Sequence, residues 1–391
     1  MSSKPAKEQP KKKRVALALQ GGGAHGAFTW GVLDRLLEDG RLEIEGVTGT
    51  SAGGMNAICV AQGMARGDNE TVRNELRDFW TRICESGKNS SLNNRGPIDK
   101  AMGNFTMYNS PGFMAFDYLS RMFSPYELNP MKKDPLKDVI KKSFDFELIR
   151  TQDKCKVYLC ATHVYTGKLR IFTTTEMRVE ALLATACLPT LHSAVMVDNE
   201  YYWDGGFIGN PVFFPLIYDC DTPDIVLIQL NPTVRNRLPT SAREIADRLN
   251  EITNNSSVVR EMRAISYITS MIDSGELDPK KHKRLFMHVI EDESAFQDLG
   301  WSSKLNTEWE FLTHLFEKGR AAGDAWLKEN YDSIGVKTTA KMADHFVGQA
   351  WHKDEKKQQF PLSFFVTQAS QKANEPPFFL KVRKCCTISN H

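Results

Sequence analysis

An α/β fold on a mostly parallel sheet is predicted by two observations. Two strand, glycine-turn and helix units follow one another between residues 15 and 64, and the alternation of short apolar runs with helical periodicity then continues past residue 230. Strands joined by helices must run parallel, because the chain is carried back across the sheet before each new strand begins. Of the 391 residues, 41% are hydrophobic and 25% charged, the balance of an ordinary globular chain. The formal charge of +2 is too even to point to a nucleic-acid partner. Eight cysteines without a C-x-x-C pair argue against a zinc site and for reduced thiols in a cytosol-like compartment.

Residues 1–13, rich in lysine and proline, read as a flexible basic tail; Pro10 to Arg14 also resembles a basic import tract, although such runs are more often solvated ends. The apolar run after it is too short for a signal-peptide core, and no stretch reaches the roughly 18 apolar residues of a membrane span. The chain is therefore expected to be soluble or to meet a membrane from outside. Val15 to Gln20 is the first strand, closed by Gly21, Gly22 and Gly23. Phe28, Val32, Leu33, Leu36 and Leu37 then mark one helix face, with Gly40 as its C-cap. Ile44 to Thr48 is the second strand, and a small-residue helix runs from the following turn to about Met64.

Residues 102–126 carry seven aromatics and four methionines. Two readings stand side by side: helix faces packed on the core, or a cap or acyl-chain pocket, since such side chains adapt to alkyl groups. Further strands are expected at Lys156–Ala161, Leu169–Thr173, Tyr201–Trp203, Ile225–Leu230 and Leu285–Ile290. Helices are expected from Arg178 to Ala186, along 241–273 through Ile245, Leu249, Ile252, Val259, Met262 and Ile265, and from Thr307 to Leu327. This divides the chain into the tail, an α/β domain over 14–295 and a mostly helical C-terminal extension over 296–391. Near its end, Cys385 and Cys386 beside basic residues could be acylated; an ordinary tail is the simpler reading.

Gly49-Thr50-Ser51-Ala52-Gly53 fits the G-x-S-x-G nucleophile elbow and lies between a predicted strand and a predicted helix, the context that motif requires. A serine that merely caps the helix is the plainer alternative. Gly21-Gly22-Gly23-Ala24-His25-Gly26 occupies another strand-to-helix turn, where glycines free several N–H groups to converge on an anion. Gly22, Gly23 and Ala24 are the candidate oxyanion donors. The same block satisfies the G-x-G-x-x-G pattern, so a nucleotide- or dinucleotide-binding protein using the Gly21–Gly26 loop is the rival reading. It lacks the acidic residue expected at the end of the second strand: Glu43 and Glu45 stand at that strand's start. For a base, His163, His192, His282, His288, His314 and His345 sit in no recognisable catalytic turn, whereas Asp204-Gly205-Gly206 puts a carboxylate on an open turn after an aromatic strand.

These three blocks, in this order and spacing, resemble the signature blocks of the patatin-like phospholipases, over roughly residues 14–215. Ala181 to Pro189 resembles the segment before that family's aspartate. The resemblance implies a three-layer sandwich with a mostly parallel central sheet, a nucleophile at Ser51, a general base at Asp204 and the oxyanion hole in the first glycine block. Gly21, Gly26, Gly49, Gly53, Gly205 and Gly206 are its motif glycines. It implies a lipid acyl hydrolase with a phospholipid or other lipid ester as substrate, peripheral membrane contact, and neither metal nor organic cofactor. His25 departs from the family pattern, where many members carry arginine or lysine. Cytoplasmic location fits the cysteine usage, and delivery into a host cell would leave the same signature.

Overall fold

Side-chain alternation in the first strand divides the core. In β1 (Lys13–Leu19), Val15, Leu17 and Leu19 enter one buried apolar cluster while Ala16 and Ala18 enter a second, because successive strand residues face opposite sides of a sheet. The computed structural model describes residues 12–88, 90, 95–131, 133–235 and 237–347. The other strands are β2 (Leu42–Gly49), β3 (Lys156–His163), β4 (Leu169–Thr173), β5 (Val195–Val197), β6 (Glu200–Asp204), β7 (Asp224–Ile228) and β8 (Phe286–Ile290). The helices are α1 (Gly26–Asp39), α2 (Ala52–Arg66), α3 (Asn69–Gly87), α4 (Pro97–Ala101), α5 (Pro111–Met122), α6 (Pro125–Leu128) and α7 (Pro135–Ser143). They continue with α8 (Phe146–Thr151), α9 (Val179–Thr185), α10 (Phe214–Asp219), α11 (Ala242–Asp273), α12 (Glu293–Phe296) and α13 (Trp309–Asn330).

Strands β3, β2, β1, β7 and β8 form a parallel run with β1 at its centre. Strands β4 and β6 pair antiparallel with β3, and β5 pairs with β6. Helices α1, α2, α3 and α13 supply Phe28, Ile58, Leu76 and Leu312 to the cluster on one face, and α10 and α11 supply Leu216 and Met262 to the cluster on the other. The result is the three-layer arrangement with a mostly parallel sheet. Each fully buried side chain of this size contributes about 1.5–3 kcal/mol relative to exposure. The boundaries follow local chemistry. Gly40 caps α1 at φ 74°, and Ser241 with Glu244 forms the capping box that opens α11. The first strand starts earlier than its apolar run: Lys13 already pairs with Leu42, and its Nζ donates to the carbonyl of Tyr331 at 2.9 Å.

The described residues, up to Val347, belong to one compact unit. Within it α13 lies across α1 with almost no side-chain spacing. A Cβ on Gly31 would enter the Phe316 carbonyl, and one on Gly319 would enter the Phe28 carbonyl. Each glycine thus lets the other helix's backbone approach directly, and the 3-10 turn Trp301–Leu305 that precedes α13 is carried to the glycine block before α1.

The aromatic and methionine-rich stretch does not pack on the core as a whole. Met107 and Phe113 are buried, but Met114, Tyr118 and Met122 on α5 are 58%, 65% and 64% exposed. Helix α11 does form over the expected residues, yet Ile245, Leu249 and Ile252 in its first half face solvent. Glu251 and Asn255 are buried instead, because this half of the helix packs on polar groups rather than on the apolar core. The basic tract up to Lys11 and the pair Cys385–Cys386 lie outside the described residues. The six described cysteines are all free and buried.

Candidate active site

The turn after β2 holds Ser51 at φ 54° and ψ −122°, a left-handed conformation that a serine adopts only under constraint. The constraint comes from packing. A Cβ on Gly53 would enter the Leu19 carbonyl, so α2 starts in direct contact with β1. The Ser51 N–H donates to Thr185 Oγ1 at 3.0 Å, anchoring the turn to the end of α9. Ser51 is the N-cap of α2, but its side chain makes no capping bond. The hydroxyl is therefore not engaged in holding the helix start, unlike an ordinary N-cap serine.

Strand register brings Asp204 to it. β2 pairs with the first half of β3, up to Gly49 opposite Leu159. β6 pairs with the end of β3, with Asp204 opposite Ala161. Because β4 overlaps both stretches of β3, it takes one edge, and β2 and β6 must share the other. β6 thus continues the line of β2 beyond its end. Asp204 falls two β3 residues past Gly49, about 6.6 Å at the usual strand rise, level with Ser51. The Asp204 N–H donates to the Cys187 carbonyl at 2.7 Å, and Oδ1 accepts the Gly206 N–H at 2.6 Å. Burial raises the Asp204 carboxyl to about 6, against the Gly206 N–H, a hydrogen bond from Ser51 and the charge of Lys304, which all favour its ionised form.

The first glycine block closes the third side. A Cβ on Gly21 would stand 2.6 Å from the Thr50 carbonyl and 3.0 Å from Ser51 Cβ, so the loop is pressed against the nucleophile turn. The Gly21 N–H is taken by Asn210 Oδ1 at 2.6 Å. Among the described residues no protein acceptor takes the N–H of Gly22, Gly23 or Ala24, and all three border the same cavity as Ser51 and Asp204. That cavity holds about 370 Å³; Met55, Phe79, Trp80, Leu136, Val139 and Leu191 form its apolar wall. The arrangement can take a proton from a hydroxyl, receive a developing anion on backbone amides and shelter an apolar chain.

The histidines fall elsewhere, apart from one. His288 bonds Asp224 at 3.0 Å at the start of β7, the sheet end opposite Ser51. His163 bonds Glu200 at 2.8 Å. His192 borders the cavity, but no described hydrogen bond orients its ring. His25, in the glycine block, is buried against Phe296 with Nε2 2.8 Å from Ser303 Oγ, and burial holds its pKa well below the ordinary range. It brings no charge. The acids of the rival nucleotide reading are engaged at the far end of β2: Glu43 pairs with Arg14, and Glu45 accepts the N–H groups of Asp221 and Thr222.

Several residues of the site carry no sequence signal. Asn210, Asn250, Asn254 and Lys304 all line the cavity. Asn250 and Asn254 are four apart on the polar face of α11, and that spacing, read for polar rather than apolar residues, is the one pattern that could have found them. Lys304 lies in the turn before α13 within no motif.

The family model of the patatin-like phospholipases matches residues 17–217, just over half of the 391 residues. No curated protein matches the chain. Among solved structures, VipD from Legionella pneumophila is similar at 14% identity over 79% of this chain and 67% of its own, with a TM-score of 0.33. Full-length ExoU, solved in complex with SpcU from the type III secretion system of Pseudomonas aeruginosa, is similar at 13% identity over 82% of this chain, with a TM-score of 0.31. This chain spans 53% of that ExoU chain.

Proposed function

The chain belongs to the patatin-like phospholipase family, a family of lipid hydrolases, and from that premise we propose that it cleaves carboxylic esters of phospholipids or related lipids through an acyl-Ser51 intermediate. Asp204 takes the Ser51 proton as Oγ attacks the ester carbonyl. The oxygen of the tetrahedral intermediate is received by the N–H groups of Gly22, Gly23 and Ala24. On collapse the C–O bond to the leaving group breaks, Asp204 passes the proton to the departing alkoxide, and the acyl group stays on Ser51. Water repeats the cycle: Asp204 takes its proton, hydroxide adds to the acyl carbon, and the proton returns to Ser51 as the fatty acid leaves.

One observation carries this reading: a serine in a strained turn, its hydroxyl unused as a helix cap, and a buried carboxylate border one cavity together with three unpartnered amides. A free aspartate, at about 3.9, is a poor base toward an alcohol, and burial raises this one toward working pH. The apolar wall supports an acyl chain as the bound part. Contact with a lipid surface is supported by the exposed apolar side of α5, with Lys133, Lys141 and Lys142 exposed just beyond it. Tyr126 Oη accepts the Ala194 N–H at 3.1 Å, which ties α6 to the segment whose Leu188, Leu191 and His192 border the cavity. Among the described residues no helix is long and apolar enough to cross a membrane. The test is hydrolysis of a panel of acyl esters and phospholipids, with fluorophosphonate labelling, by wild type, Ser51→Ala and Asp204→Asn. Loss of turnover in both variants and of labelling in Ser51→Ala is expected; equal turnover by all three would remove the assignment.

A further inference from the structure

His25 stands where a basic residue is common in the family, and it is buried and neutral. A cation reaches the same place from the far end of the chain. The turn Trp301–Leu305 packs on the glycine block so closely that a Cβ on Gly23 would enter the Lys304 carbonyl, and Ser303 beside it bonds His25. Lys304 borders the cavity with Ser51, Asp204 and the three unpartnered amides. Its Nζ donates to Asn231 Oδ1 at 2.9 Å and to Asn250 Oδ1 at 2.8 Å, which leaves its third N–H without a protein partner among the described residues. Both acceptors are neutral amides that hold the ammonium without cancelling it. Asn231 Nδ2 donates in turn to the Gly21 carbonyl at 3.4 Å, so one side chain separates the ammonium from the glycine block.

The nearby carboxylates are engaged elsewhere. Glu251 is bonded by Arg235 at 3.2 Å and by Arg248 at 3.0 Å. Asp247 accepts Tyr108 Oη at 2.5 Å and the Trp301 N–H at 2.7 Å. A cation drawn partly out of water, with no carboxylate bonded to it, is costly unless a negative charge is formed or bound beside it.

We propose that Lys304 is the fixed positive charge of this active site, stabilising the oxyanion formed when Ser51 attacks and holding Asp204 ionised between turnovers. The inference rests on the serine-esterase reading and extends it by a residue that none of the three sequence blocks contains. Lys304 acts as a positioning residue, through the field it sets at the glycine amides. The groups facing it are Asp204 at the end of β6, Asp247 and Glu251 on α11, His25 in the glycine block and Arg235. Burial lowers its pKa to about 8, against the pull of those three acids. It is therefore charged at neutral pH and loses its charge as pH rises through about 8.

The experiment measures kcat and KM from pH 5 to 10 for wild type, Lys304→Gln and Lys304→Arg, on a neutral short-chain ester and on a phospholipid, with Ser51→Ala alongside. Glutamine removes the charge while keeping an NH2 group that can donate to the amide oxygens. The expected result is a fall in kcat of about tenfold to a hundredfold in Lys304→Gln on both substrates, with KM little changed. The wild-type decline above about pH 8 disappears in that variant, and its acid limb moves upward as Asp204 loses the nearby cation. Lys304→Arg, charged throughout this range, recovers most of the activity. A loss confined to the phospholipid and to KM would overturn the proposal in favour of a headgroup anchor. Full activity in Lys304→Gln would overturn it outright, as would a wild-type rate that stays flat from pH 7 to 10, an outcome that needs no variant to fold. If Ser51→Ala turns over like wild type, the serine reading itself fails; if Ser51→Ala is dead and Lys304→Gln intact, the lysine alone is refuted.

Discussion

Asn210 Oδ1 accepts the Gly21 N–H at 2.6 Å, and its Nδ2 donates to Asn254 Oδ1 at 3.3 Å. One amide thus joins three parts of the site: the loop after β1, the turn after Asp204 and the polar face of α11. It also fixes which amides of the glycine block stay open, since Gly21 is occupied and the next three are not.

Asn210→Ala should therefore release the loop. Removing a buried hydrogen-bonding partner costs about 1–3 kcal/mol, read as a lower urea midpoint with unchanged m-value. We expect kcat to fall more than KM changes, because the amides lose their alignment while the apolar wall stays. Unaltered stability and kcat would mean the bond orders nothing.

Ser51→Gly separates strain from chemistry. Residues held at such a φ cost on the order of 1–3 kcal/mol, and glycine relieves most of that. The variant should unfold at a higher urea concentration than wild type while losing turnover. A less stable glycine variant would show that the Ser51 side chain contributes more than its backbone costs.

Burial raises the Asp204 carboxyl to about 6, above its unfolded value near 4. Folding therefore favours its protonated form: the stability it contributes is full below about pH 4 and is lost as pH rises through about 6. Asp204→Asn should be more stable than wild type at pH 8, and the advantage should vanish below pH 4. Activity runs the other way, since only the carboxylate can act as base, so wild-type kcat should rise through about pH 6. Urea titrations across pH and a pH–rate profile check the two signs independently.

Met114→Asp with Met122→Asp places two charges on the exposed side of α5. Co-sedimentation with anionic phospholipid vesicles should weaken at least about tenfold, while hydrolysis of a soluble short-chain ester stays within about twofold. Equal vesicle binding would move the lipid-facing surface elsewhere.

Legibility in the sequence followed range of interaction. Gly40 as a helix cap, the extent of α11 and the turn around Ser51 depend on neighbours within a few positions, so backbone sterics and periodicity announce them. Side-chain direction is harder. Ile245, Leu249 and Ile252 have the spacing of a core stripe, and only the packing of α11 on the loop polar groups turns Glu251 and Asn255 inward instead. The aromatic stretch shows the same limit, because composition reports that residues are apolar and not whether protein covers them.

By itself, the sequence determined the alternating α/β pattern and the two glycine-bounded turns, and it named the candidates proposed as nucleophile, base and anion donors. Tertiary structure alone decided that β6 continues the line of β2 on one edge of β3, which brings Asp204 level with Ser51, and that α13 lays Lys304 against the glycine block. The physical reason is that strand register and helix docking are set by contacts between residues far apart along the chain. No local propensity encodes those contacts; they exist only once the core has formed.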